Sequence, residues 1–67
     1  MLGKLKYESD NNWWIHFGDY FHKSQLIDES INTSSFENNQ EIEFELKLAS
    51  NAELIKNSSN KYRAFPV

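Results

Sequence analysis

From Glu41 to Leu48 the chain alternates charged and apolar residues without a fault: Glu-Ile-Glu-Phe-Glu-Leu-Lys-Leu. Successive side chains of a β-strand point to opposite faces, so a period of two suits a strand with one buried face and does not line one side of a helix. The pattern predicts that Ile42, Phe44, Leu46 and Leu48 point inward and that Glu41, Glu43, Glu45 and Lys47 meet water. The carboxylate ladder is then the solvated face of its strand.

Other β-favouring runs surround this one. Leu2 to Tyr7 forms a first strand, with Leu5 inward between Lys4 and Lys6, and Asp10-Asn11-Asn12 turns the chain. Trp13-Trp14-Ile15-His16-Phe17 and Tyr20-Phe21-His22-Lys23 flank Gly18-Asp19 and read as a hairpin. A loop with an odd number of residues, such as Phe17-Gly18-Asp19, pairs His16 with Tyr20 and Trp14 with His22 on one exposed face. Ile15 and Phe21 then fall on the other face, whereas a two-residue loop mixes the two sets. Trp13 belongs to the core or to its rim. Ser24 to Ile31 suits a short helical turn, Asn32 to Asn39 is polar and turn-like, and Ala49 to Asn60 is a long Asn- and Ser-rich connection. Within it, Ala52 to Lys56 fits either a helical turn or a strand extension. Lys61 to Val67 forms a last strand, where Pro66 is tolerated near the end because it lacks an N–H.

With 67 residues the chain is a single domain spanning 1–67, and a domain this short buries only about 60% of the surface exposed by its unfolded chain. It contains no cysteine, so apolar packing must hold it together, and that composition fits the cytoplasm. The first residues show no long apolar run of the kind a secretory signal or a membrane span requires, so a soluble protein is expected. Five strands joined by turn-rich segments point to an all-β fold, a small five-stranded antiparallel OB-like barrel. An SH3-like barrel fits the same spacing.

The order of the pieces resembles the cold-shock domain family. Gly3-Lys4-Leu5-Lys6-Tyr7-Glu8-Ser9 is similar to that family's opening Gly-Lys-Val-Lys-Trp-Phe-Asn, and Asn12 to Phe17 stands where its Lys-Gly-Phe-Gly-Phe-Ile motif is found. Asp19-Tyr20-Phe21-His22-Lys23-Ser24 resembles its second RNA-binding motif, Asn39 to Glu45 its Gly-Gln-Glu-Val-Glu-Phe-Glu, and Tyr62 to Val67 its closing strand. The departures are specific: Trp13 and Ile15 replace two motif glycines, His16 replaces an aromatic, and Glu8 stands in place of a stacking ring. The resemblance implies an OB-like barrel, single-stranded RNA or DNA as ligand, RNA-chaperone activity and no cofactor. Carried over by position, the binding residues are Tyr7, Trp14, His16, Tyr20 and His22, with Lys4, Lys6, Lys23 and Arg63 at the margins.

The composition agrees with that ligand class in one respect and qualifies it in another. Phe, Trp and Tyr make up 15% of the chain, more than so small a core needs, and stacking contributes about 1–3 kcal/mol per base in single-strand binders. A net charge of -3 argues against a salt-driven grip on duplex DNA. The same charge suits an alternative, a protein-binding module that keeps the barrel and has lost the nucleic-acid face. No metal is expected, because His16 and His22 fall short of the usual ligand number. No enzyme and no small-molecule substrate are expected either, since the chain has no nucleophile–base pair and no Gly-rich phosphate loop.

Overall fold

The computed structural model describes residues 1–18, 23–55 and 60–67, and its fold is all-β. Five strands form one sheet: β1 (Leu2–Ser9), β2 (Asn12–Phe17), β3 (Ser24–Leu26), β4 (Glu41–Leu48) and β5 (Tyr62–Pro66). Their order is β3-β2-β1-β4-β5, every ladder is antiparallel, and there is no helix among the described residues. At the two ends of the order, β3 and β5 approach through a single parallel bridge, Ile27 to Ala64. The Asp28 N–H donates to the Ala64 carbonyl at 3.0 Å and Gln25 Nε2 donates to the Tyr62 carbonyl. No ladder joins these strands, so the sheet does not close on itself.

The core follows from the period-two pattern of the central strands. Leu5, Trp13, Ile15, Ile27, Phe44 and Ala64 are buried together, with Phe17, Ile31, Phe36 and Ile42 packed around them. Phe17 and Phe44 meet at a ring-centroid distance of 5.1 Å, and Trp13 stands edge-on to Phe36 at 5.6 Å. Trp13 is thus a core residue. Gly3 is required by close approach: a Cβ there would lie 2.7 Å from the His16 carbonyl oxygen and from Ile15 Cγ1, and 3.0 Å from the Phe44 ring.

Three sequence expectations are corrected. Leu46 and Leu48 carry the right parity but are 37% and 56% exposed. Beyond Phe44 the strand pairs only with β5, where Leu46 lies opposite Ala64, a core residue too small to cover it, and Leu48 opposite the exposed Tyr62. Ser24 to Leu26 is a strand rather than a helical turn, and it displaces the expected hairpin register: Trp14 pairs with Leu26 and His16 with Ser24, not with His22 and Tyr20. Residues 51–55 form neither a regular helix nor a strand extension but consecutive turns, with Ala52, Leu54 and Ile55 N–H groups each reaching back three residues.

A buried carboxylate fixes the chain where it leaves β3. Asp28 is 1% exposed, and its oxygens accept from the Ser50 N–H at 2.9 Å, the Ser50 hydroxyl at 2.8 Å and the Ser30 N–H at 2.9 Å. Burial pushes its pKa up, but the hydrogen bonds from Ser30 and Ser50 outweigh that and bring it down from 3.8 to about 2. The native state therefore holds this proton less tightly than the unfolded chain. The contribution to stability is nearly complete above about pH 5, is lost as pH falls through about 2, and amounts to about 2 kcal/mol.

Two stability predictions follow from the core and from this carboxylate. In urea unfolding at pH 7, Phe44→Ala should cost about 3–5 kcal/mol, while Leu48→Ser, at an exposed position, should stay within about 0.5 kcal/mol of wild type. Asp28→Ala should cost about 2–3 kcal/mol at pH 7, because it leaves charge-assisted hydrogen bonds unmade. Its stability should also fall less than that of wild type between pH 4 and pH 2.

Candidate nucleic-acid interface

The alternation that buries Leu5 and Ile15 turns the intervening residues outward. Lys4 lies opposite His16 and Lys6 opposite Trp14 in alternate antiparallel pairs on either side of Leu5 and Ile15, so two cations, an imidazole and an indole share one patch of the outer sheet surface. Pairing with β3 extends that surface to Ser24 and Leu26. On the other flank β4 contributes carboxylates, with Glu41 opposite Lys4 and Glu43 opposite Leu2. The patch is therefore mixed in charge, with its cations on β1 and its rings on β2.

Two polar contacts from outside the patch set the posture of its members. The Lys6 ammonium donates to Asn39 Oδ1, and the turn carrying Asn39 is itself tied to β1: Asn39 N–H donates to the Leu5 carbonyl and Leu5 N–H to the Gln40 carbonyl, both at 2.8 Å. Asn39 has a φ of 72°, a left-handed conformation that asparagine tolerates better than most residues. The indole Nε1 of the half-buried Trp14 donates to Glu8 Oε2 at 2.8 Å. The register of β1 on β2 shifts between Tyr7 and Ser9, so Glu8 is the extra residue of a β-bulge at the end of the patch. The sequence singles out Glu8 as a charge, but only the folded chain shows it holding Trp14.

The remaining expected site residues divide. Tyr7 is not on this surface: it pairs with the core residue Trp13, meets that ring edge-on at 5.3 Å and is 52% exposed on the opposite face. Its hydroxyl donates to Asp10 Oδ1 at 3.1 Å; that bond, the charge of Asp10 and a little desolvation raise its pKa above the ordinary value. Lys23 is exposed directly before β3, with its carbonyl accepting from the Phe17 N–H at 3.2 Å. Arg63 lies apart on β5, where its guanidinium donates to the Asn60 and Tyr62 carbonyls at 3.1 and 2.8 Å, and it lines a cleft with Asn11, Asn12, Leu26 and Glu29. Tyr20 and His22, with Phe21, lie outside the described residues.

Comparison of the chain with protein-family models, with curated proteins and with solved structures gives no match. The reading of the site rests on its own chemistry. A half-buried indole and an exposed imidazole beside two ammonium groups can stack planar ligands and meet anions at their edges.

The two tryptophans should be separable in solution, since Trp13 is buried and Trp14 is not. Trp14→Phe should remove most of the iodide-quenchable emission and leave a blue-shifted spectrum from Trp13. If instead the emission left in Trp14→Phe is fully accessible to iodide, the faces of β2 are reversed.

Proposed function

We propose that this chain is a cold-shock-like domain, an OB-like barrel that binds single-stranded RNA or DNA on the outer face of β1 and β2. The observation that carries the reading is the pairing, on one face, of Lys4 with His16 and of Lys6 with Trp14. It places rings beside cations at the spacing of neighbouring residues in a sheet, and single strands offer bases and phosphates in similar alternation. The strand order and the bridge from Ile27 to Ala64 support the barrel, since β3 and β5 are the edges whose meeting would close it. Bases stacked on Trp14 and His16 are withdrawn from stacking on one another, so local hairpins in the nucleic acid lose stability. This is RNA-chaperone behaviour with weak sequence preference.

One observation favours a second reading, a protein-binding module on the same barrel. The Trp14 N–H is held by the Glu8 carboxylate, and Glu41 stands opposite Lys4 with Glu43 opposite Leu2, so phosphates meet negative charge on two sides of the patch. A protein partner with basic side chains suits those carboxylates.

Fluorescence titration with a pyrimidine-rich single strand at two salt concentrations separates the readings. Nucleic-acid binding predicts quenching, a loss of about 1–3 kcal/mol on Trp14→Ala, and a salt slope that falls by about 0.7 on Lys4→Ala as one phosphate contact is removed. Duplex should bind more weakly, because paired bases hide their faces. Absence of any fluorescence change or mobility shift with single strands at low salt would leave the protein-binding module in its place.

A further inference from the structure

The contact between Glu8 and Trp14 has a consequence for which bases the patch accepts. Glu8 is exposed, and its Oε2 takes the indole N–H at 2.8 Å, at the edge of the Trp14 ring. Its other oxygen accepts no hydrogen bond from the described residues, and the nearby Lys6 ammonium is engaged by Asn39 instead. A base stacked on the indole face thus brings its own edge next to an anchored carboxylate with one acceptor oxygen to spare. A carboxylate only accepts, so it rewards a base edge that donates and penalises one that presents oxygen.

We infer that Glu8 makes the Trp14 platform discriminate between pyrimidines, favouring cytosine over uracil. The inference rests on the nucleic-acid reading and adds to it a determinant of sequence preference. Cytosine and uracil have nearly the same size and stacking surface, so stacking alone separates them little. They differ at ring position 4, where cytosine carries an amino group whose outer hydrogen points away from the ring acceptors and uracil carries a carbonyl oxygen. The single donor on the Watson–Crick edge of uracil, N3–H, lies between two carbonyl oxygens that a carboxylate repels. The bulge at Glu8 and the bond to the indole hold the carboxylate in place, so little side-chain entropy remains to be lost when it accepts the amino hydrogen.

The test is a fluorescence titration of wild type and Glu8→Gln with oligodeoxycytidine and oligodeoxyuridine of equal length at low salt. Wild type should bind the cytidine strand about threefold to tenfold more tightly, the worth of one hydrogen bond made against solvent. Glu8→Gln presents an amide that both donates and accepts, so the ratio should shrink toward one while both strands bind more tightly for want of the negative charge. Equal affinities in wild type overturn the inference and leave the nucleic-acid reading standing. So does a cytosine preference that survives Glu8→Gln unchanged. Quenching by neither strand overturns both.

Discussion

Phe44 is the contact on which the rest of this sheet depends. Its side chain is fully buried, its ring packs on Phe17, and its backbone is bonded to Met1 in both directions, the N–H to the Met1 carbonyl at 2.8 Å and the carbonyl to the terminal ammonium at 3.0 Å. It also fills the space that a side chain on Gly3 would need. One aromatic residue thereby seats β4 against β1 and holds β1 close to β2. Because alternate residues of a strand face opposite ways, seating Leu5, Ile15 and Phe44 inward leaves Lys4, Lys6, Trp14 and His16 outward with no further instruction.

A core this small leaves much of the chain to be ordered by polar groups. Asp28 gathers Ser30 and Ser50, which joins the turn after β3 to the turn after β4. Gln25, buried on β3, donates to the Tyr62 carbonyl and accepts from the Asn60 amide, tying β3 to the approach of β5. These bonds hold the two edge strands near one another where no ladder does. They are strong because their alternative in a buried setting is an unpaired polar atom rather than water.

The outer face combines features that pull in different directions. Cations on β1 attract phosphate, while Glu8, Glu41 and Glu43 repel it, and exposed charges of both signs are screened by salt. On the proposed nucleic-acid reading, attraction to a single strand would come largely from ring surfaces, which salt affects little. The carboxylate at the edge of the half-buried indole would then turn an electrostatic handicap into a reader of hydrogen-bond donors. On this reading affinity and selectivity come from different atoms of the same patch.

The strands with a clean period of two were legible from the sequence alone: β4 over Glu41–Leu48, Leu5 between two lysines, and the inward Ile15 with outward Trp14 and His16. Such alternation is a local property, so it carries the strand, its faces and the four members of the outer patch that share parity. The tertiary structure decided what lay beyond local pattern. Leu46 and Leu48 have inward parity, yet their cross-strand neighbours are the small Ala64 and the exposed Tyr62, which leave them partly in water. Ser24 to Leu26 has weak strand character and is a strand because β2 and the Tyr62 carbonyl bond it. Tyr7 is off the patch by plain alternation from Leu5, opposite the inward Trp13, whereas Glu8 took hold of Trp14 because a bulge reset the end of β1 beyond Tyr7, which depends on how two strands meet rather than on either one. Periodicity settles which way a side chain points, whereas register and the reach of the core depend on partners distant in sequence.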